Sequence, residues 1–211
     1  MTRRLLYATS NPGKLFEVRR ILAAHGIDLV APDEIGLALD VEETGATLEE
    51  NAVLKARAYL ERVGNGATVV LADDTGIEID ALGGEPGIHI RRWIGRTMTD
   101  QEVYDTTLAR LKDVPAGQRG AQFRCVVALG TPAGELELFE GTLRGEILVD
   151  PGPPQIAGFP FEALFYVPEW SRVLGEIYDL PPAEKAACLT HRERAVRAAL
   201  PRIRALLDAP A

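Results

Sequence analysis

Two adjacent carboxylates, Asp73 and Asp74, follow directly on the apolar run Val69-Val70-Leu71-Ala72 and are succeeded by Thr75 and Gly76. A short, β-rich run bounded by polar residues reads as an interior strand, and the carboxyl end of such a strand is where α/β sheets open toward a ligand. Paired acids at that place suit a hard divalent cation. The same four residues also suit a tight turn, because Asp and Gly are favoured there. The expectation is therefore a strand ending at Ala72 with the acids in its exit turn.

Three further groups of residues could meet a ligand. Thr9-Ser10-Asn11-Pro12-Gly13-Lys14 links a strand at residues 4–8 to a helix that carries Leu15, Val18 and Leu22 on one face. Asn11 suits the N-cap and Pro12 the first helical position, where its missing N–H costs nothing. Free backbone N–H groups, the positive end of the helix dipole and Lys14 would together attract an anion such as a polyphosphate tail. The segment is not a P-loop, since GxxxxGK[ST] is absent. A second helix is announced by the capping box Thr47-Leu48-Glu49-Glu50 and runs to about Val63, before Gly64. On it, Asn51 and Lys55 stand one turn apart, so they either reach one ligand or form an ordinary solvated face. Glu42 and Glu43, just upstream, are either solvated or serve as oxygen ligands. In the second case they would join Asp73 or Asp74 around a Mg²⁺, which takes one or two carboxylates and fills its other sites with water and phosphate oxygens.

The rest of the chain must position these groups. With 211 residues, 46% of them hydrophobic, it can bury a sizeable core and fits one domain, residues 1–211, with two lobes. A net charge of −8 argues against a protein that coats nucleic acid, because phosphate contacts need a basic surface. Any phosphate must be met locally, and three of the four lysines (Lys14, Lys55 and Lys185, against 19 arginines) fall in segments suited to that. Cys125 and Cys188 have no metal-ligand spacing and read as reduced thiols of a cytoplasmic protein. Arg3 and Arg4 precede too few apolar residues for a signal peptide, and no run reaches membrane-spanning length. Further strands are expected at residues 27–31, 77–81, 123–129, 135–139 and 143–149, the last three as an antiparallel meander. An acidic loop fills 33–47, Gly83 to Gly87 forms a turn, and Pro151 to Pro154 resembles a linker. Thr99 and Thr190 each open a capping box and a helix, and Pro201 should kink or divide the last helix near Leu200.

Taken together, Ala8 through Lys14, Glu42 through Ala56, Ala72 through Gly76 and Asp80 through Gly87 resemble the inosine-triphosphate pyrophosphatase family, with Gly158-Phe159 and Thr190-His191-Arg192 extending the likeness to the C-terminus. The resemblance implies a long, twisted, mixed central sheet flanked by helices, two lobes with a nucleotide cleft between them, and a homodimer. It implies Mg²⁺-dependent hydrolysis of ITP, dITP and XTP to the monophosphate and pyrophosphate. Carried over residue by residue, it gives Thr9, Ser10, Asn11 and Lys14 to the phosphate tail, with Asn51 and Lys55 completing the cradle. Glu43 and Asp74 become metal-associated acids, with Asp73 kept as a further candidate ligand on its own chemistry, and Asp74 also accepts the proton of the attacking water. Thr75 replaces a ligand-contacting Ser. Phe159-Pro160-Phe161-Glu162 stands where the family has Phe-Gly-Tyr-Asp, so Phe159 keeps its aromatic ring while its three successors depart. Lys185 matches a late lysine with a register one residue longer, Arg92 best fits the altered stretch 88–93, and His191 with Arg192 would face the 6-oxo group of a purine. His191 also suits a local contact at a helix start. The altered 160–162 segment leaves open a pyrimidine or modified nucleotide as substrate, as in the distantly similar septum-site Maf pyrophosphatases. A third reading is a nucleotide-binding protein without catalysis.

Overall fold

The structure is a computed structural model that describes residues 4–37, 39–63, 68–131, 133–153 and 156–209. Arg3, Gly64 and Pro154 lie outside the described residues. In chain order the elements are β1 (Arg4–Tyr7), α1 (Pro12–Ala23), β2 (Leu29–Val30), α2 (Leu48–Val63), β3 (Thr68–Ile79), β4 (Pro86–Gly87), α3 (Asp100–Arg110), β5 (Gly120–Gly130), β6 (Leu136–Ile147), β7 (Phe165–Val167), β8 (Arg172–Val173), α4 (Pro182–Lys185) and α5 (His191–Asp208). The strands form one eight-stranded mixed sheet in the order β2-β1-β3-β5-β6-β7-β8, with β4 paired to β3.

The chain divides into two compact units, one of Met1–Thr75, Cys125–Gly141 and His191–Ala211 and the other of Gly76–Arg124 and Thr142–Thr190. In the first, β1 runs parallel to both β2 and β3, and its last residue, Tyr7, lies opposite Leu71. Side chains alternate along β3. Val69 and Leu71 accordingly join Leu5, Tyr7, Val18 and Leu22 in a core that α5 completes with Val196, Ala199 and Ile203. Helix α1 is capped as expected, with the Asn11 carboxamide accepting from the Gly13 and Lys14 amides and Pro12 at the first position. In the second unit β3 pairs antiparallel with β4, β6 with β7 and β7 with β8. Its core gathers Ile77, Ile79, Val103, Leu143, Phe161 and Phe165. The Thr99 capping box closes at both ends, each side chain bonding the other residue's backbone.

Several expectations change. Asp73-Asp74-Thr75-Gly76 is not an exit turn: β3 continues unbroken from Thr68 to Ile79 and absorbs the strand expected at 77–81. Gly76 serves close approach within the sheet, since a Cβ there would lie 2.8 Å from the Gly87 carbonyl oxygen. Likewise β6 fuses the strands expected at 135–139 and 143–149. Gly141, which falls between the two expected strands, is a mid-strand gap, where a Cβ would stand 2.1 Å from the His191 carbonyl oxygen and block the start of α5. The strand at 27–31 shortens to β2. Helix α5 runs through Pro201 without interruption, its buried Leu200, Ile203 and Leu206 continuing the apolar face past the proline. Tertiary packing here offsets the roughly 3 kcal/mol that an interior proline costs.

Candidate active site

At the start of α1 the 9–14 segment is tighter than the sequence suggested. The expectation of free N–H groups is corrected, because Asn11 Oδ1 already accepts from the amides of Gly13 (2.9 Å) and Lys14 (3.1 Å). Thr9 Oγ1 in turn accepts from the Asn11 amide at 3.2 Å, so the 9–14 segment is prefolded. Ser10 is exposed, while Thr9, Asn11 and Lys14 are half-buried. The helix dipole remains, and Lys14 supplies the full positive charge.

The two aspartates divide between the faces of β3. Asp73 shares the face of Leu71 and Thr75 and is 2% exposed. Its Oδ1 accepts from the Tyr7 hydroxyl at 2.6 Å, and its Oδ2 meets Lys14 Nζ at 3.0 Å and Arg192 Nε at 3.2 Å. Thr75 Oγ1 (3.2 Å) and Cys125 Sγ (3.7 Å) also donate to Oδ2. Arg192 spans the group, with one terminal nitrogen 2.5 Å from Glu17 Oε2 and the other 3.1 Å from Thr75 Oγ1. Burial alone would push the Asp73 pKa up, but Lys14, Arg192 and Lys55 outweigh it and hold the carboxyl far below the usual range. The Tyr7 hydroxyl is pushed well up by burial and by Asp73, and the Cys125 thiol is pushed up to about 12 by the same two causes. This face therefore carries an ion cluster in which Asp73, Glu17 and Arg192 are buried and Lys14 is partly exposed.

On the opposite face Asp74, 6% exposed, meets α2. Its Oδ1 lies 3.1 Å from Lys55 Nζ and its Oδ2 accepts from Asn51 Nδ2 at 3.1 Å. Lys55 Nζ also lies 2.8 Å from Glu43 Oε1, so one ammonium is shared by two carboxylates. Burial would depress the Lys55 pKa, yet Asp74, Asp73 and Glu43 raise it on balance. Asn51 ties the arrangement together, its Oδ1 accepting the Gly45 amide at 2.8 Å. Gly45 is required for that approach, because a Cβ there would stand 2.7 Å from Asn51 Oδ1. The capping box of α2 is displaced by one residue at its return contact: Thr47 Oγ1 accepts from Glu50 N, but the Glu50 carboxylate takes the amide of Ala46. That contact pulls the Glu43 loop against the helix. Among the described residues no group of three or more His, Cys, Asp or Glu side chains converges on one point.

Other residues fall in different settings. In the first unit His191 is buried, and burial followed by the Arg192 charge lowers its pKa well below the usual value, so the imidazole is neutral at pH 7. In the second unit Phe159 is half-buried while Pro160, Phe161 and Glu162 are buried. Phe161 sits edge-on to Phe123, with ring centroids 5.9 Å apart, and Glu162 Oε1 accepts the Ile156 amide at 2.8 Å. Lys185 ends α4 and donates to the Cys188 carbonyl at 2.9 Å. Arg92 is exposed on a 3₁₀ turn at Ile90–Arg92. Sequence reasoning missed Tyr7 and Glu17. Tyr7 lay inside an apolar run that reads as plain core. Glu17 had a signal, since it stands three residues after Lys14 and so on the same helical face.

Comparison with known proteins identifies relatives over nearly the whole chain. The Ham1 family model matches residues 5–202. A Streptomyces coelicolor protein named dITP/XTP pyrophosphatase is 40% identical over 206 residues, covering 97% of this chain and 98% of the relative. A Bacillus subtilis protein of the same name is 35% identical, covering 91% and 92% respectively. Among solved structures the Staphylococcus aureus Ham1 protein superposes with a TM-score of 0.75 at 30% identity, covering 96% of this chain and 99% of that one. The family match spans nearly the full length and takes in β3, the strand that carries both aspartates, so the chain belongs to the Ham1 family.

Proposed function

We propose that the protein hydrolyses non-standard purine nucleoside triphosphates, dITP and XTP foremost and ITP with them, to the monophosphate and pyrophosphate. The observation that carries this reading is the pair of lysine-bound aspartates on β3: Asp73 with Lys14, and Asp74 with Lys55, Glu43 and Asn51. A triphosphate needs positive charge and donors, and the two lysines with Thr9, Ser10, Asn11 and Asn51 supply them. Lys14 retains further N–H groups beyond the one aimed at Asp73, as an ammonium has three. Asp74 takes the proton of a water whose oxygen attacks the α-phosphorus. The bond from that phosphorus to the α,β-bridging oxygen breaks, and pyrophosphate leaves with its negative charge met by the lysines.

Mg²⁺ fits this donor set. Glu43 and Asp74 already share one cation, and two carboxylates with phosphate oxygens and water are what the ion accepts. When bound, it would screen phosphate charge and acidify a coordinated water. Asp73 is a poorer ligand than the sequence suggested, since its Oδ1 accepts from Tyr7 and its Oδ2 is crowded by Lys14, Arg192, Thr75 and Cys125, whereas each Asp74 oxygen meets a single donor, Lys55 or Asn51. Its role in this reading is to position Lys14. Phe159 would stack on the base, with Thr75, Lys185 and His191 as further substrate residues; Arg192, expected among them, is buried and bound to Asp73, Glu17 and Thr75, so in this reading it holds Asp73 in place. The departures at Pro160, Phe161 and Glu162 fall on buried positions. They leave Phe159, the half-buried aromatic of the segment, as the resemblance has it.

Residues 1–211 are proposed to act as one catalytic unit, since β3, β5 and β6 contribute residues to both compact units. A homodimer, as the family resemblance implies, in the cytoplasm, as two unpaired cysteines suggest, completes the reading. No helix among the described residues is long and apolar enough to cross a membrane. The test is pyrophosphate release from dITP, XTP and ITP beside ATP, GTP and UTP, with Mg²⁺ supplied. Selective release of one pyrophosphate per monophosphate from the first three is expected. Faster turnover of a pyrimidine nucleotide would favour the alternative substrate, and tight binding without release would favour a non-catalytic binder.

A further inference from the structure

We propose that Tyr178 is a positioning residue that holds the Phe159 ring as the platform on which the nucleobase stacks. The inference rests on the proposed function, and every contact it uses lies within the second unit. Of residues 159–162 only Phe159 has a partly solvent-facing side chain, its three successors being buried. Its ring and that of Tyr178 are 13° from parallel with centroids 6.0 Å apart. That is the spacing of an offset stack, too close for a base to enter between the rings without displacing one. A base that stacks on Phe159 would therefore take the ring face opposite Tyr178.

The two rings are fixed from independent backbones. Phe159 follows Gly158, whose φ of +88° turns the chain and whose amide donates to Asp100 Oδ2 at 2.8 Å. The Phe159 amide itself bonds the Ile156 carbonyl at 3.1 Å. Tyr178 stands on the 3₁₀ segment Leu174–Asp179, anchored by the buried Leu174 and Ile177. Without Tyr178 the Phe159 backbone would stay in place while the ring gained rotamers, and each stacking event would have to order it again. Base-bearing ligands would feel that loss, and ligands without a base would not.

The experiment compares wild type with Tyr178→Phe, Tyr178→Leu and Tyr178→Ala in dITP hydrolysis, in calorimetric binding of dIMP and in inhibition by inorganic pyrophosphate. Tyr178→Phe keeps the stacked ring and should lie closer to wild type than Tyr178→Leu in both KM for dITP and Kd for dIMP. Tyr178→Leu and Tyr178→Ala should raise KM for dITP and Kd for dIMP by about threefold to tenfold, the range an aromatic pair contributes, with kcat within about twofold and pyrophosphate inhibition unchanged. Tyr178→Leu keeps the bulk and so answers the question if Tyr178→Ala is poorly folded. Wild-type turnover with unaltered dIMP binding in Tyr178→Leu would overturn this inference alone. Equal losses for dIMP and pyrophosphate would overturn it in favour of general structural damage. A wild-type protein that neither hydrolyses dITP nor binds dIMP would remove the proposed function and this inference with it.

Discussion

Replacing Glu17 with Met should destabilise the protein severely although Glu17 lies in no recognisable motif. Its carboxylate meets Arg192 at 2.5 Å, with the two side chains only 6% and 4% exposed. Glu17→Met strands a guanidinium in the interior, where solvent cannot compensate it. Removing one partner of a buried pair costs about 3–5 kcal/mol. Asp73 still faces Arg192, which places the expectation toward the lower end. For a chain of this length each kcal/mol lowers Tm by roughly 2–4 °C, so a fall of about 6–12 °C follows. Thermal and urea unfolding followed by circular dichroism would measure it. A double-mutant cycle with Arg192→Met separates the pair from simple loss of packing: the double variant should be more stable than the sum of the single losses predicts by about 1–3 kcal/mol. A Glu17→Met protein within about 1 kcal/mol of wild type, or additive losses in the cycle, would refute the buried-cluster account.

Acid should weaken the same region in two stages. His191 is neutral in the folded state with a lowered pKa, so its contribution is present above its unfolded value of about 6.5 and declines below it. Asp73 has a depressed pKa, so its larger contribution is present above about 3.9 and is lost as the pH falls further. The urea midpoint should decline from pH 6.5 and drop steeply under pH 4; a flat profile between pH 7 and 3 would contradict both signs. Cys125, held as a thiol with its pKa pushed up to about 12, should resist iodoacetamide at pH 8 until the protein is unfolded, as peptide mass spectrometry would show by labelling only in denaturant. Gly45→Ala should push Asn51 off the 43–46 loop and lower kcat/KM for dITP by about tenfold while Tm falls little. The converse pattern, lost stability with full activity, would count against Asn51 as the organiser of Asp74.

Much of the fold could be read from local chemistry. The Asn11 cap with Pro12, the Thr99 capping box and the apolar face of α1 each act within one turn of chain, and each formed as read. The errors share one cause, glycines and acids whose meaning depends on distant neighbours. Gly76 and Gly141 resemble turn residues in sequence but admit a facing backbone in the middle of long strands. Asp73 and Asp74 were adjacent and alike on paper. The two-residue period of β3 sends them to opposite faces, one into a cluster with Tyr7, Glu17 and Arg192 and the other to Lys55 and Asn51. Only the partners, supplied by β1, α1, α2 and α5, distinguish the roles, and they lie up to 119 residues away.

The central claim is that Asp74, unlike Asp73, carries the proton transfer. Single-turnover hydrolysis of dITP by Asp74→Asn measures this directly, because Asn keeps the shape and can still pair with Asn51 while Lys55 keeps Glu43. The account predicts a rate loss of about 10²–10⁴-fold with Tm and dIMP affinity close to wild type. An Asp74→Asn protein that hydrolyses dITP within tenfold of wild type would contradict it.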